Sequence, residues 1–347
     1  MNIFQNTKTL LVTLVFIVLI NVLIFVPEYK VCIPQKFVPY KTDELQQRVN
    51  TKMKSQKQLY KKSGSPIEGN QELTVNENFK KSEIKLNESC EKRLPQAIVV
   101  GIQKCGTTAL VKFLGAHPQI AAYAYEAQYF YGQNYETHSL DWYRNLMPCS
   151  YSNQITIEKS PPYFYRSVAA ERIRKMNPKT KIIIIVKDPI TRAVSMYAML
   201  KEYNKVDGKT FEECVTLEDN KTINGSSRFI EFSNYPKHVN VWLEIFDREQ
   251  ILVLDGHNME TDPAEELKKV EHFLRIKHFL TPDKFAFNET KGKHCLNIGN
   301  ELNCLNAKKG RRHPDIDTNL RKTLENHFRP LNEEFFKMIN KRFDWGY

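Results

Sequence analysis

The sequence predicts an α/β fold with a central parallel sheet and helices on both of its faces. Apolar runs of strand length alternate along the chain with stretches of helical pattern, and strands that are separated by helices pair in parallel. The predicted strands are Pro95–Gly101, Gln154–Glu158, Lys181–Val186 and Gln250–Asp255. The predicted helices are Thr108–Ala116, Val168–Met176, Ile190–Lys201, Val239–Phe246, Pro263–Phe273 and, near the end of the chain, Asn319–Phe328.

Two of these strands carry the strongest signal. Pro95–Gly101 is a continuous apolar run that ends in glycine, and Lys181–Val186 is almost entirely isoleucine and valine. Runs without polar alternation are typical of strands that are buried on both faces. Beyond about residue 280 the sequence predicts loop, followed by the last helix and an aromatic tail.

Composition and charge narrow the class of protein. Of the 347 residues, 41% are hydrophobic, which is enough for a sizeable core and excludes a disordered chain. The formal net charge of +11 indicates an acidic partner, which could be nucleic acid, an anionic membrane or an anionic polysaccharide.

The N-terminus predicts a membrane anchor. Thr9–Val26 is mostly apolar and about 18 residues long, near the lower limit for a membrane-spanning helix. The alternative is a cleaved signal peptide, whose apolar core is shorter and is followed by small residues, whereas this run ends in Val26-Pro27-Glu28. We therefore expect a cytoplasmic tail at 1–8, a signal-anchor at 9–26, a luminal stem at 27–94 and a luminal domain at 95–347.

Sequons and cysteines also favour the secretory route. Four glycosylation sequons begin at Asn87, Asn220, Asn224 and Asn288. Cys295 and Cys304 bracket a short polar loop that a disulfide would close in an oxidising lumen. Two free thiols or two metal ligands are the alternatives, although nothing nearby completes a four-ligand zinc set. The sequence leaves open the pairing of Cys32, Cys90, Cys149 and Cys214.

An anion-binding loop is predicted where the first strand runs into a helix. Gly101–Thr108, which we call the phosphate loop, would aim backbone N–H groups and the positive end of the helix at an anion. Lys104 adds a positive charge, and Thr107 and Thr108 add hydroxyl donors. The Walker order is not met, because the lysine precedes the second glycine. A nucleotide kinase, and a plain tight turn with Thr107 as the helix N-cap, are the alternatives here.

Two further basic positions could face the same ligand. Lys187 follows the end of the strongest strand, and Pro189 fits the first turn of a helix in which Ser195 lies two turns on. Lys187 and Ser195 could therefore face the crevice outside the strand ends, where ligands bind in open α/β sheets. A capped surface helix with a solvated lysine is the alternative. The basic run Lys308–Pro314 is either a solvated loop or a stapled loop that closes over a phosphate.

In these motifs taken together the chain resembles the heparan sulfate sulfotransferases, and most closely the glucosaminyl 3-O-sulfotransferases. The resemblance covers about residues 95–347, and it implies that this region is a single sulfotransferase domain. Its specific stretches are Pro95–Leu110, Glu158–Phe164, Lys187–Pro189 with Ser195, Gln250–Gly256, Phe287–Cys295, Cys304–Asp317 and Phe328–Trp345.

The resemblance implies that PAPS is the sulfuryl donor and that no metal is required. The 5′-phosphosulfate of the donor would lie on the phosphate loop, and its 3′-phosphate would contact Lys187 and Ser195. The family also implies a Golgi type II membrane enzyme that acts in the lumen on heparan sulfate chains of proteoglycans, not on nucleic acid. The residues implied for the donor site are Lys104, Cys105, Gly106, Thr107, Thr108, Lys187, Ser195, Lys309, Gly310, Arg311, Arg312 and His313.

The acceptor side implied by the resemblance is Ala121–Phe130, which we call the acceptor segment. By similarity Glu126 is the general base, because a sugar hydroxyl is a poor nucleophile until a carboxylate removes its proton. Lys104 would neutralise the charge that builds on the departing phosphate. Gln128 and Lys159 would contact the acceptor, Lys159 by binding anionic groups of the polysaccharide.

Several positions depart from the 3-O pattern. That pattern has Arg, His, Asp, Arg and usually Asp where this chain has Thr108, Gln128, Tyr131, Lys187 and Met196, respectively. The phosphate loop and Gln128 look more like the N-sulfotransferase domain of the bifunctional N-deacetylase/N-sulfotransferases, whereas Phe287–Trp345 looks more like the 3-O enzymes. An N-sulfotransferase and a non-catalytic heparan sulfate-binding protein are therefore the alternatives to 3-O transfer.

Overall fold

The computed structural model describes residues 89–219, 221–299, 301–305 and 313–347. The predicted tail and anchor, the stem up to residue 88, Cys32, Asn87, Asn220 and the basic residues at 308–312 lie outside the described residues. Within the described ranges, no helix is both long enough and apolar enough to cross a membrane.

Ten strands and eleven helices follow one another in the described ranges. The strands are β1 (Glu91–Lys92), β2 (Ala97–Gly101), β3 (Ile120–Ala122), β4 (Cys149–Ser150), β5 (Ile155–Lys159), β6 (Lys181–Val186), β7 (Ile251–Asp255), β8 (Phe285–Asn288), β9 (Lys293–Ile298) and β10 (Glu301–Asn303). The helices are α1 (Thr107–Leu114), α2 (Gln133–Thr137), α3 (Leu140–Leu146), α4 (Ser167–Met176), α5 (Pro189–Glu202), α6 (Phe211–Val215), α7 (Arg228–Glu231), α8 (Tyr235–Ile245), α9 (Asn258–Thr261), α10 (Pro263–Leu274) and α11 (Thr318–Ile339). Short 3₁₀ helices span Pro161–Tyr165, Arg248–Gln250 and Pro282–Lys284.

The core of the fold is a five-stranded sheet with the order β3-β5-β2-β6-β7, in which every neighbouring pair is parallel. β2 lies at the centre, and all five of its residues are buried, as are Ile182–Val186 of β6. Helices flank this sheet, as the sequence predicts. All five carboxyl ends lie along one edge of a parallel sheet, and this edge is where loops can form a ligand crevice.

The four predicted strands and the five predicted helices that precede residue 280 are confirmed, with ends shifted by a few residues at most. The sheet also contains β3, which is only three residues long and therefore too short to show a pattern. The last helix extends to Ile339 and passes through Pro330, because Phe335 and Phe336 bury its second half against the core.

The prediction of loop after residue 280 was wrong. This region forms a three-stranded antiparallel sheet with the order β10-β9-β8, in which Phe285 pairs with Leu296 and Leu302 with Asn297. The strands are short and rich in Asn, Lys and His, so they lack the apolar alternation that identifies a strand in sequence. Burial of Cys295 and Leu296 fixes the pairing instead.

Two disulfides tie the periphery to the core. Cys295 and Cys304 form the disulfide predicted from the sequence, with their Cα atoms 4.4 Å apart. Cys90 and Cys149, whose partners the sequence leaves open, form a second disulfide across the β1–β4 pair. The other two described cysteines, Cys105 and Cys214, are buried thiols.

Candidate active site

The phosphate loop connects the central strand β2 to α1. Lys104 and Gly106 have positive φ angles of 76° and 106°, which turn the chain sharply before the helix. Gly106, not Thr107, is the N-cap of α1, and a glycine has no side chain that could accept a hydrogen bond from the first turn. The N-cap role considered for Thr107 is therefore wrong. The uncapped N–H groups at this helix terminus are available to an anion.

Cys105 contributes its backbone to this loop while its side chain is buried beneath it. Burial raises the pKa of the Cys105 thiol to about 11, against the opposing effect of Arg192 and Lys187. The thiol is therefore neutral at physiological pH, so it is neither a nucleophile nor an anion that would repel a phosphate.

Gly256, at the end of β7, packs closely against the phosphate loop. It follows β7 directly, and its N–H donates to the carbonyl oxygen of Val186, at the end of β6, at 2.7 Å. A Cβ atom at this position would lie 2.3 Å from the carbonyl oxygen of Cys105 and 2.7 Å from Cγ of Lys187. The phosphate loop, the end of β6 and the end of β7 therefore meet at a contact that only glycine permits.

Lys187 stands beside the phosphate loop. Asp188 caps α5 by accepting from the N–H groups of Ile190 and Thr191 at 3.3 and 2.8 Å. Lys187 itself is buried, and its ammonium group forms an ion pair with Glu260 of α9. Ser195 lies two turns into α5 and is half-buried.

Lys104 and His313 complete the basic groups described around the phosphate loop. The Nζ atom of Lys104 lies 3.7 Å from Sδ of Met199 on α5, so this side chain extends from the loop toward α5. Burial lowers the pKa of His313, and the nearby charges of Lys187 and Lys104 act in the same direction. His313 is therefore close to both lysines, while Lys309–Arg312 fall outside the described residues.

The acceptor segment brings together the three predicted acceptor-side residues. Lys159 donates from Nζ to Oε1 of Glu126 at 2.9 Å, and Gln128 donates from Nε2 to Oε2 of Glu126 at 3.3 Å. The hydroxyl of Tyr131 in turn donates to Oε1 of Gln128 at 3.0 Å. About a third of the Glu126 side chain is exposed, whereas Lys159 is buried. Both oxygens of Glu126 are thus oriented while the carboxylate stays accessible from solvent.

One protein-family model matches most of the chain. The family model described as a sulfotransferase domain matches residues 94–344. The chain belongs to the sulfotransferase family.

The relatives of this sulfotransferase are enzymes of heparan sulfate. It is 36% identical to human heparan sulfate glucosamine 3-O-sulfotransferase 5 over 272 residues, which cover 77% of this chain and 78% of that protein. It is 39% identical to human heparan sulfate glucosamine 3-O-sulfotransferase 3B1 over 262 residues, covering 74% and 66% of the two chains. Identity to human heparan sulfate glucosamine 3-O-sulfotransferase 6 is 37% over 259 residues, covering 74% and 75%.

A solved structure supports the fold of the sulfotransferase. A sulfotransferase from Alicyclobacillus acidocaldarius matches with a TM-score of 0.56 and 20% identity, covering 74% of this chain and all of that one. The nucleotide-kinase alternative, which the phosphate loop alone leaves open, is removed by the family assignment.

The donor of the sulfotransferase domain is PAPS, and the described residues fit it. An uncapped helix terminus beside Lys104 can hold one phosphate group, and Lys187 with Ser195 can hold another. The described residues contain no group of His, Cys, Asp and Glu side chains that could hold a metal ion.

Three residues beside the candidate site have contacts in the structure but no role that the sequence predicts. Gly256 directly follows a predicted strand, and a glycine in that position can indicate a close backbone contact. Tyr131 was noted only as a departure from the family pattern, and its contact with Gln128 is visible only in the structure. Glu158 ends a predicted strand, but its carboxylate is fully buried against the acceptor segment.

The asparagines of the two described sequons each precede a turn, and Asn288 is the last residue of β8. Oδ1 of Asn224 accepts from the N–H of Ser226 at 3.1 Å, and Oδ1 of Asn288 accepts from the N–H of Lys291 at 2.9 Å. Both asparagines are half-buried. Their glycosylation stays a prediction.

Proposed function

We propose that this sulfotransferase transfers a sulfuryl group from PAPS to the 3-hydroxyl of glucosamine residues in heparan sulfate, with Glu126 as general base. The observation that carries the proposal is the exposed Glu126 carboxylate, held by Lys159 and Gln128. The relatives support the acceptor, since they are named for 3-O transfer to heparan sulfate glucosamine.

The donor side supplies positive charge and N–H groups. PAPS provides the activated sulfuryl group, and its 5′-phosphate is the leaving group. The first turn of α1 and Lys104 hold that phosphate and neutralise the charge that develops on it. Lys187 and Ser195 hold the 3′-phosphate, and we assign Lys309–His313 to the same donor site.

The acceptor side supplies the base. One oxygen of Glu126 faces Lys159 and the other faces Gln128, so the carboxylate has a fixed orientation when the sugar hydroxyl arrives. Glu126 takes the proton of that hydroxyl as the oxygen attacks sulfur, which makes the hydroxyl a competent nucleophile. Lys159 offsets the negative charge of Glu126. We assign its ammonium group also to contacts with anionic groups of the polysaccharide.

We place the enzyme in the Golgi membrane as a single-pass type II protein with its catalytic domain in the lumen. Two disulfides among the described cysteines support an oxidising compartment. The apolar run Thr9–Val26 and the four sequons support the same assignment.

The test is a transfer assay with the full-length protein, PAPS that carries a labelled sulfuryl group, and defined heparan oligosaccharides. Disaccharide analysis then locates the label. Label on the 3-hydroxyl of glucosamine is the expected result. Label on nitrogen would make the protein an N-sulfotransferase, to which Gln128 and Thr108 point. Salt-sensitive heparan binding without label would make it a non-catalytic binding protein.

A further inference from the structure

A second carboxylate lies behind the proposed base. Glu158 belongs to β5 and precedes Lys159, and none of its surface is exposed. Within the described ranges it forms no ion pair, which is unusual because an unpaired buried carboxylate is costly. The hydrogen bonds of Glu158 must therefore explain why a carboxyl group is buried here.

Those contacts hold the backbone that follows Glu126. Oε1 of Glu158 accepts from the N–H of Ala127 at 3.4 Å and from the hydroxyl of Ser160 through a short hydrogen bond. Because the only hydroxyl proton of Ser160 is committed to Glu158, its oxygen accepts from the N–H of Gln128 at 2.9 Å. Glu158 thus determines, directly and through Ser160, the position of two successive residues after the base.

The held backbone is in an unfavourable conformation. Gln128 has a φ of 47°, in the left-handed region that non-glycine residues seldom adopt. This conformation turns the Gln128 side chain back so that its Nε2 reaches Oε2 of Glu126. The Ser160 and Glu158 contacts thus support the backbone conformation in which Gln128 contacts the proposed base.

We propose that Glu158 is a positioning residue for sulfuryl transfer: its buried side chain fixes the backbone after Glu126. The inference rests on the proposed function, because it presupposes that Glu126 accepts a proton from the acceptor.

The charge of Glu158 depends on pH. Burial, and to a smaller extent the nearby Glu126, raise its pKa to about 7 against the hydrogen bonds from Ser160, Ala127 and Tyr143. The titratable and charged groups that face Glu158 or its partner Glu126 are Tyr123, Tyr131, Tyr143, Tyr163, Glu126 and Lys159. Burial raises the pKa of all four tyrosines, so they remain neutral across the physiological range. Glu158 is therefore the group of this cluster that changes charge near pH 7.

The test compares Glu158→Gln with the wild-type full-length protein in the labelled transfer assay across pH. We expect kcat to fall about 10- to 100-fold, as for a misplaced catalytic group, while the KM for PAPS stays within about two-fold. We also expect any change in kcat near pH 7, where Glu158 ionises, to be absent from the profile of Glu158→Gln. A purely structural role would lower kcat by the same factor at every pH.

Two further variants keep the proposal falsifiable. Ser160→Ala removes the link to Gln128 but keeps Glu158, so kcat should fall while any change near pH 7 stays in place. This variant decides the question if Glu158→Gln does not fold. Glu271→Gln is the matched control, since Glu271 is a buried carboxylate that accepts from the N–H of Leu280 at 2.8 Å, away from the acceptor segment. Its profile should equal that of the wild type.

The outcomes separate the two proposals. A wild-type protein that transfers no label contradicts the proposed function and this inference with it. An active wild type whose kcat and pH profile are unchanged by Glu158→Gln contradicts only the positioning role. Unchanged kcat in Ser160→Ala also contradicts it.

Discussion

The proposed donor side and the proposed acceptor side of this candidate active site differ in what holds their functional groups. On the donor side, backbone turns at the ends of β2, β6 and β7 place N–H groups and Lys187 around the phosphate loop. On the acceptor side, Glu126 lies in an irregular segment that side chains from β5 and the following turn hold in place. The N–H of Tyr129, for example, donates to the hydroxyl oxygen of Tyr163 at 2.8 Å.

This difference implies different sensitivities. Backbone geometry at strand ends depends on local sequence and on close contacts. The donor side should therefore be disrupted by substitutions that add bulk at those contacts. A segment held by a buried carboxylate depends on charge and hydrogen bonds, so it should respond to pH and to isosteric substitution.

The largest effect should come from substitution of Glu126, the proposed base. Glu126→Gln keeps the shape of the side chain but cannot accept the proton, so we expect turnover to fall about 10²- to 10⁴-fold. Initial-rate measurements with labelled PAPS and a heparan oligosaccharide check this. Glu136→Gln is the control, because Glu136 is an exposed carboxylate of α2 that pairs with Arg172 at 2.6 Å. Wild-type turnover in Glu126→Gln would remove Glu126 as the base.

The next largest effect is a pH-dependent stability on the acceptor side. The folded pKa of Glu158 is raised from 4.5 to about 7, so the folded state binds the proton more tightly than the unfolded state. Its contribution is favourable at low pH and is lost as pH rises through about 7, a change of about 3 kcal/mol in the free energy of unfolding. Urea unfolding at pH 5 and pH 8 should show this loss in the wild type and not in Glu158→Gln. Equal pH dependence in the two proteins would contradict the assignment.

A steric change should disrupt the donor side. Gly256→Ala places a Cβ atom 2.3 Å from the carbonyl oxygen of Cys105, so the phosphate loop must shift. We expect a loss of about 1–3 kcal/mol in the free energy of unfolding and weaker binding of PAP, the desulfated donor. Gly225→Ala is the matched control, because no atom lies within 4 Å of its added Cβ. Calorimetric titration and urea unfolding measure both effects, and equal behaviour of the two variants would contradict the close contact.

The smallest effect concerns the ion pair of Lys187. Glu260 pairs with the Lys187 ammonium group, which the 3′-phosphate of the donor would also need. Glu260→Gln should therefore tighten PAP binding about two- to five-fold, the range of an exposed ion pair. Glu265→Gln, whose carboxylate lies 3.8 Å from Lys268, should leave the affinity unchanged. Weaker PAP binding in Glu260→Gln would show that the carboxylate supports the donor site and does not compete for it.

The sequence predicted the donor side better than the acceptor side for a physical reason. Buried strands such as Lys181–Val186 and the glycine turn after β2 are local features, so four of the five sheet strands and the phosphate loop could be located. The contacts that hold the acceptor segment join residues distant in sequence, such as Gln128 and Ser160, and no local pattern reveals them.

Contacts between distant residues also explain the two wrong predictions after residue 280. The sheet of β8, β9 and β10 depends on burial of Cys295 and Leu296 and on a disulfide, and its polar strands gave no periodic signal. The last helix was predicted too short because Pro330 usually marks a helix end, whereas tertiary packing of Phe335 and Phe336 carries it onward.

The most direct test measures PAP affinity and labelled sulfuryl transfer in the same preparations of wild type, Glu126→Gln and Lys104→Ala. If the two sides are built and act separately, Glu126→Gln binds PAP as the wild type does but transfers no detectable label. Lys104→Ala should lose both affinity and transfer. Transfer by Glu126→Gln at the wild-type rate, or loss of its PAP binding in step with its activity, would contradict the account.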